Sequence, residues 1–169
     1  RVGERWDRLD GIVHAIAHAP PEALGGGFVS APRSAALAAF ETSAYSLKAI
    51  AERLEPLMGE GGAIVGLDFD ASRAWPAYDW MGVAKAGLEA SVRYLANDYG
   101  PRGIRVNAIS AGPVRTLAGA GISDARHMFS YQQRNSPLRR TVSLDEVGGS
   151  ALYLLSDLSS GVTGEIHYV

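Results

Sequence analysis

Tyr78 and Lys85 stand seven residues apart in the stretch YDWMGVAK. Seven residues of α-helix turn through about 700°, within ~20° of two full turns, so both side chains would share one helical face about 10 Å apart along the axis. Helical side chains lean toward the N-terminus, which sends the lysine ammonium back toward the phenol. A cation there would favour the phenolate and lower the tyrosine's affinity for its proton. Such a phenol could give a hydrogen bond, or a proton, to a carbonyl oxygen gaining negative charge, and the ammonium could hold a cofactor's hydroxyls. An aromatic at a helix start also packs, and an isolated lysine is commonly solvated, so spacing alone leaves both readings open. The pair's expected place, a helix start just beyond a strand, favours chemistry. Chemistry requires a ring not lost in the apolar interior and an amine not pointing into bulk water.

Other chemistry-bearing residues give weaker patterns. Asp68 and Asp70 resemble paired carboxylates, but a strand-end turn explains them better. His14 and His18 are four apart in a stretch that reads as strand followed by loop, not as a helical metal pair. There is no cysteine, which excludes disulfides and thiolate chemistry and is compatible with a reducing cytoplasm. No G-x-S-x-G elbow is present. Gly25–Gly27 does not match G-x-G-x-x-G and reads as a flexible loop.

Apolar runs and helical spacing alternate along the 169 residues. GIVHAIA (Gly11–Ala17), GAIVGLDF (Gly62–Phe69), GIRVNAIS (Gly103–Ser110) and the closing GEIHYV read as buried strands. Between them, helices are predicted over about Arg33–Leu57, Ala77–Tyr99 and from the capping-box pair Ser143 and Glu146 to about Ser156. The order predicts an α/β fold: a Rossmann-like, doubly wound parallel sheet of about four strands with helices on both faces. Ligands of such sheets sit beyond the carboxyl ends of the strands, here residues 18–32, 68–77 and 111–135. Residues 1–169 form a single domain. The lack of an initiator Met, and an end inside an apolar run, suggest a piece truncated at both ends. A net charge of −2 gives no footprint for nucleic acid or an anionic membrane, and no apolar run approaches a membrane span.

Five motifs carry a family likeness: VHAIAHAP (13–20), SAYSLKAIAERLEPLM (43–58), SRAWPAYDWMGVAKAGLEASVRYLA (72–96), GIRVNAISAGPVRTLAGAGISD (103–124) and PLRRTVSLDEVGGSALYLLSDLSSGVTGE (137–165). On these the chain resembles the NADH-dependent enoyl-acyl-carrier-protein reductases of type II fatty acid synthesis. They are a divergent branch of the short-chain dehydrogenase/reductases, which ordinarily space Tyr and Lys four apart rather than seven. The resemblance implies that Tyr78 hydrogen-bonds the enoyl thioester carbonyl and that Lys85 holds the nicotinamide ribose. Ile16, Val114, Thr116, Leu117 and Ala118 match cofactor-contacting positions, and Ala19 a substrate-contacting one. Residues from about 117 to 135 would form a substrate loop within the 111–135 stretch, with Met128 offering an apolar wall to an acyl chain; a helix packing on the core is the other reading. Many members carry a second tyrosine about ten residues before the first. Here Asp68 or Phe69 stands there; the stretch resembles the mycobacterial long-chain reductases, where a phenylalanine holds this place, and Phe69 is placed with the catalytic residues, pressing on the nicotinamide or the substrate. The likeness further implies NADH as cofactor, an acyl-carrier-protein-linked substrate, a cytoplasmic homotetramer, and no metal, nucleic acid or membrane partner. A 3-oxoacyl or other carbonyl reductase, and a catalytically silent fragment or assembly module, are the alternatives.

The cofactor's Gly-rich turn would belong to a strand–helix unit before Arg1. Residues 1–169 alone should therefore bind NADH weakly; isothermal titration giving micromolar affinity would contradict this.

Overall fold

The computed structural model describes residues 2–114 and 125–169, with the side chains of 125–127 left aside. Four strands, β1 (Gly11–His14), β2 (Gly62–Asp68), β3 (Ile104–Ser110) and β4 (Ile166–Tyr168), pair in that spatial order, all parallel. β1 stops three residues short of the apolar run that predicts it. Ala15, Ile16 and Ala17 are exposed, so no neighbouring surface rewards extending the ladder.

The two-residue alternation of the strands sorts the core into two layers. Ile12, Ile64, Val106 and Ala108 face one side, where they meet Leu47, Ala51, Leu88 and Val92. Val65, Leu67 and Ile109 face the other and pack on Val147, Ala151 and Leu154. The first layer is covered by α2 (Ser46–Met58) and α3 (Asp79–Tyr99), the second by α5 (Leu144–Leu155); α4 (Ala125–Asn135) lies beyond the end of β3. Helices thus cover both faces, as the sequence predicts. α5 begins on the expected capping box: the Ser143 hydroxyl accepts from the Glu146 amide while the Glu146 carboxylate accepts from Ser143 N.

α3 buries Met81, Ala84, Leu88, Val92, Leu95 and Ala96 at three- and four-residue spacing. Lys85 lies in the same stripe, an ammonium among alkyl groups. The predicted helix over Arg33–Leu57 is continuous in space but not in winding. α1 (Arg33–Phe40) passes into α2 through a π-helical turn, Glu41–Tyr45. That turn re-aims two serines. Ser46 Oγ donates to Thr42 O and meets His14 Nε2 at 2.7 Å. Ser43, fully buried, receives the His18 amide and donates to the His18 carbonyl, both at 2.9 Å. An extra residue in a turn often marks a functional position, and this one clamps the loop that follows β1.

Ser43→Ala would remove both hydrogen bonds from the half-buried His18 amide and carbonyl. We expect a loss of about 1–3 kcal/mol in urea unfolding, against a few tenths for Ser30→Ala on the exposed loop.

Candidate active site

Tyr78 is the N-cap of α3, one residue before the helix proper, with φ −95° and ψ −27°. Its neighbours hold strained backbone: Ala77 has φ +60° and Asp79 has φ +43°, both in the left-handed region that side-chain-bearing residues avoid. Ties to a distant loop hold these conformations in place. Gly25 N donates to Ala77 O at 3.0 Å, Gly26 N and Gly27 N donate to Asp79 Oδ2 at 2.6 and 3.1 Å, and Trp80 Nε1 donates to Phe28 O, its indole stacked on the Phe28 ring. Gly25 and Gly26 sit at φ +88° and +94°, which glycine alone adopts without strain. The Gly25–Gly27 stretch is therefore an anchored loop that braces the tyrosine, not a free one.

The phenol ring is 8% exposed, set deeper in the apolar interior than the sequence expectation requires, and packs with Met81 and Ala84, against Ala19, Leu24, Phe69 and Trp75. Phe69 meets it edge-on with centroids 4.9 Å apart; Trp75 lies 5.5 Å from Phe69, and Tyr131 of α4 6.0 Å from Trp75. This aromatic chain leads into a cavity of about 510 Å³ at the carboxyl ends of β2, β3 and β4. Phe69, Trp75, Met128 and Tyr131 give the cavity its apolar wall; Asp70, Arg73, Ser110 and Gln132 are among its polar lining. Tyr78 and Lys85 do not line it. Phe69 and Trp75 are the links, belonging to both the tyrosine's cluster and the cavity wall.

The electrostatics differ from the expectation drawn from spacing. The Lys85 ammonium turns to the sheet and donates to Leu67 O at 2.7 Å, and no hydrogen bond joins it to the Tyr78 hydroxyl among the described residues. Burial pushes the Tyr78 phenol well above its ordinary pKa, and the neighbouring Asp68 carboxylate raises it further. The lowered proton affinity expected from Lys85 is thus reversed, which suits the phenol to donating a hydrogen bond rather than to releasing its proton. Burial lowers the pKa of Lys85 and Asp68 opposes that shift.

Sequence places Asp68 with Asp70 in a strand-end turn. Only Asp70 makes that turn, accepting from Ser72 N and pairing with Arg73 at 3.2 Å. Asp68 instead points inward on the Ile64–Gly66–Asp68 face, 7% exposed, with neither carboxyl oxygen hydrogen-bonded. Burial pushes its pKa up to about 7, and Lys85 only partly offsets this. Directly across the ladder, the buried Ser110 hydroxyl also has no partner. The alternation of β2 was the signal that could have found Asp68; nothing in the sequence announced the roles of Asp79 or Ser43.

Ile16 lies exposed just after β1, and Ala19 is partly buried between Tyr78's cluster and the cluster of Ala23, Ala35 and Ala39. Val114 ends the described run after β3, while Thr116, Leu117 and Ala118 fall outside the described residues. Met128 sits on α4, part of a helix where a loop was the other possibility. The residues at the centre suit the nicotinamide end of a dinucleotide. Lys85 spends one of its three protons on Leu67, leaving two for vicinal hydroxyls, and a Cβ at Gly112 would come within 3.3–3.4 Å of Val169 O, Gln132 and Val142, so the backbone there is already closely approached.

The profile described as "Enoyl-(Acyl carrier protein) reductase" matches residues 1–169. The chain is 60% identical to "Enoyl-[acyl-carrier-protein] reductase [NADH] 2" of Rhizobium meliloti over 169 residues, covering 99% of this chain and 63% of that protein. It is 47% identical to the FabI enzyme of Escherichia coli K12, covering 99% and 65%. Crystal structures of FabI from Candidatus Liberibacter asiaticus and of the enoyl-acyl-carrier-protein reductase of Anaplasma phagocytophilum with NAD superpose with TM-scores of 0.96 and 0.93. Each is 50% identical and covers 99% of this chain, and 66% and 64% of the respective structures. The chain thus spans somewhat under two thirds of the length of most of these proteins.

Asp68 makes stability depend on pH in a direction opposite to an ordinary surface carboxylate. Its folded pKa lies above the unfolded value of 3.8, so the folded state binds the extra proton and loses stability as pH rises from about 4 to 7. Asp68→Asn removes that loss. Relative to wild type, the variant should gain stability between pH 4 and 8 by up to ~4 kcal/mol, at about 1.4 kcal/mol for each pH unit between the two pKa values. A constant difference in chemical unfolding across that range would contradict this.

Proposed function

The chain belongs to the enoyl-(acyl carrier protein) reductase family, and from that premise we propose that the full-length protein reduces the trans-2 double bond of acyl-carrier-protein-linked enoyl thioesters in fatty acid biosynthesis, with NADH as reductant. The observation that carries the proposal is the braced phenol of Tyr78 at the strand ends, one ring away from an apolar-walled cavity. With its ribose held by Lys85, NADH would supply a hydride to the β-carbon of the substrate. Negative charge then gathers on the thioester oxygen, and a phenol that keeps its proton is suited to hydrogen-bond it. The high proton affinity of Tyr78 favours this donor role over full proton transfer, so the α-carbon takes its proton from another source.

Lys85 holds the ribose with the two protons Leu67 leaves it. Ile16, Val114, Thr116, Leu117 and Ala118 complete the contacts to the nicotinamide half of the cofactor. Phe69 sets the floor on which the reacting groups meet, Ala19 leaves room for the thioester, and Met128, Trp75 and Tyr131 wall the acyl chain. Closing these apolar groups over the chain excludes water, which strengthens the hydrogen bond to the thioester oxygen.

The protein assembles as a homotetramer in the same proposal. α1 exposes Leu37 and Phe40, the π turn Tyr45, and α3 Val83 and Tyr94, apolar surface that a second copy would cover. Among the described residues no helix is long and apolar enough to cross a membrane, and a cytoplasmic location is part of the proposal.

Tyr78→Phe in the full-length protein removes the donor and keeps the ring packing. Turnover of a trans-2-enoyl thioester should fall on the order of 100-fold, with NADH affinity nearly unchanged. Unaltered turnover would remove Tyr78 from the chemistry. NADH loss with a 3-oxoacyl thioester, but not with the enoyl substrate, would replace the reaction with carbonyl reduction.

A further inference from the structure

Five buried side-chain atoms among the described residues lack a hydrogen-bond partner: His14 Nδ1, Asp68 Oδ1 and Oδ2, Glu89 Oε1 and Ser110 Oγ. They are not scattered. His14, Asp68 and Ser110 end β1, β2 and β3 on the face that meets α3, and Glu89 lies one turn after Lys85 on α3 itself. Buried polar atoms are normally paired, so five orphans in one gap call for an explanation.

Most of these atoms can only accept. The single Ser46 hydroxyl proton goes to Thr42 O, so His14 Nε2 must be the donor in its contact with Ser46. Burial, and Lys85 nearby, keep the imidazole neutral, which leaves His14 Nδ1 a bare acceptor. Asp68 and Glu89 as carboxylates add acceptors and no donor. The gap therefore holds more lone pairs than protons, with Lys85 as its charged donor. Glu89 lies within hydrogen-bonding reach of Asp68, but two ionised carboxylates cannot bond each other; one proton between them makes the bond.

We propose that Asp68 is a neutral acid in the working enzyme, keeping its proton and donating it in a hydrogen bond to a Glu89 oxygen, and that it acts as a positioning residue for Lys85. With Asp68 neutral, no full charge competes for the ammonium, which stays free to hold the ribose hydroxyls. Ionising Asp68 places an anion beside Lys85, draws the ammonium off those hydroxyls and repels the cofactor's phosphates. The other groups facing this gap are His14 from β1, Tyr78 at the start of α3, and Tyr168 from β4, whose hydroxyl is directed to Asp70; Arg93 holds the outer oxygen of Glu89 at 3.7 Å. None of them supplies the Asp68–Glu89 bond. Asp68 is the group here whose pKa falls at about 7, where burial has placed it.

The role in cofactor binding rests on the function proposed above; the shared proton does not. In the full-length protein, infrared difference spectra of wild type minus Asp68→Asn should show a protonated-carboxyl stretch at pH 6 that fades by pH 8 and shifts in Glu89→Gln. In steady-state kinetics, the wild-type KM for NADH should rise roughly five-fold from pH 6 to 8, the scale of one added charge near the site, with kcat moving less. Asp68→Asn, a neutral stand-in for the acid, should flatten that rise. No carboxyl band, or a band that survives Asp68→Asn, overturns the shared proton. A KM rise that persists in the variant overturns the positioning role. A band that behaves as described in a protein that oxidises no NADH keeps the acid pair and removes the reductase reading. If Asp68→Asn fails to fold, Glu89→Gln must shift both the band and the KM profile, or the pair is refuted.

Discussion

A lysine in the apolar stripe of a buried helix has to be satisfied where it lies, and Lys85 is satisfied by one carbonyl at the end of β2. That bond ties α3 to the sheet at the edge where open α/β sheets take their ligands. It leaves part of the ammonium's hydrogen-bonding capacity in reserve. Burial without a neighbouring carboxylate in contact also keeps the charge expensive, and an expensive charge is one that a ligand can exploit. The same low-dielectric gap raises the proton affinity of Tyr78 and Asp68, so one desolvated pocket sets the behaviour of three titratable groups together.

Much of the architecture was readable because burial in a parallel sheet writes itself as continuous apolar runs. β2 and β3 fall within a residue of the runs GAIVGLDF and GIRVNAIS, and the capping box of α5 stands where Ser143 and Glu146 place it. β1 is shorter than its run, since hydrophobicity marks candidates for pairing and not whether a partner extends alongside them. The π turn at Glu41–Tyr45 was illegible for a related reason. Its residues have no special helical signature, and what fixes the turn is the reach of Ser43 and Ser46 to β1 and its loop, partners some thirty residues away at most.

The candidate site was legible in its membership and not in its electrostatics. Spacing finds Tyr78 and Lys85, and the small residues after β3 suggest close approach by a ligand. Spacing says nothing of dielectric, so the sign of the tyrosine's shift came out reversed. Asp68 follows the same rule: its place beside Asp70 suggests turn chemistry, while the inward alternation of its strand puts it in the core. Types and intervals travel through sequence; depth does not.

The two left-handed residues on either side of Tyr78 also bear on how the site could come undone. Their conformations are held by amides of a glycine loop about fifty positions earlier in the chain, so the hydroxyl's aim is only as good as that loop's grip. Peel the loop away and residues 77 and 79 relax toward ordinary geometry, swinging the ring with them.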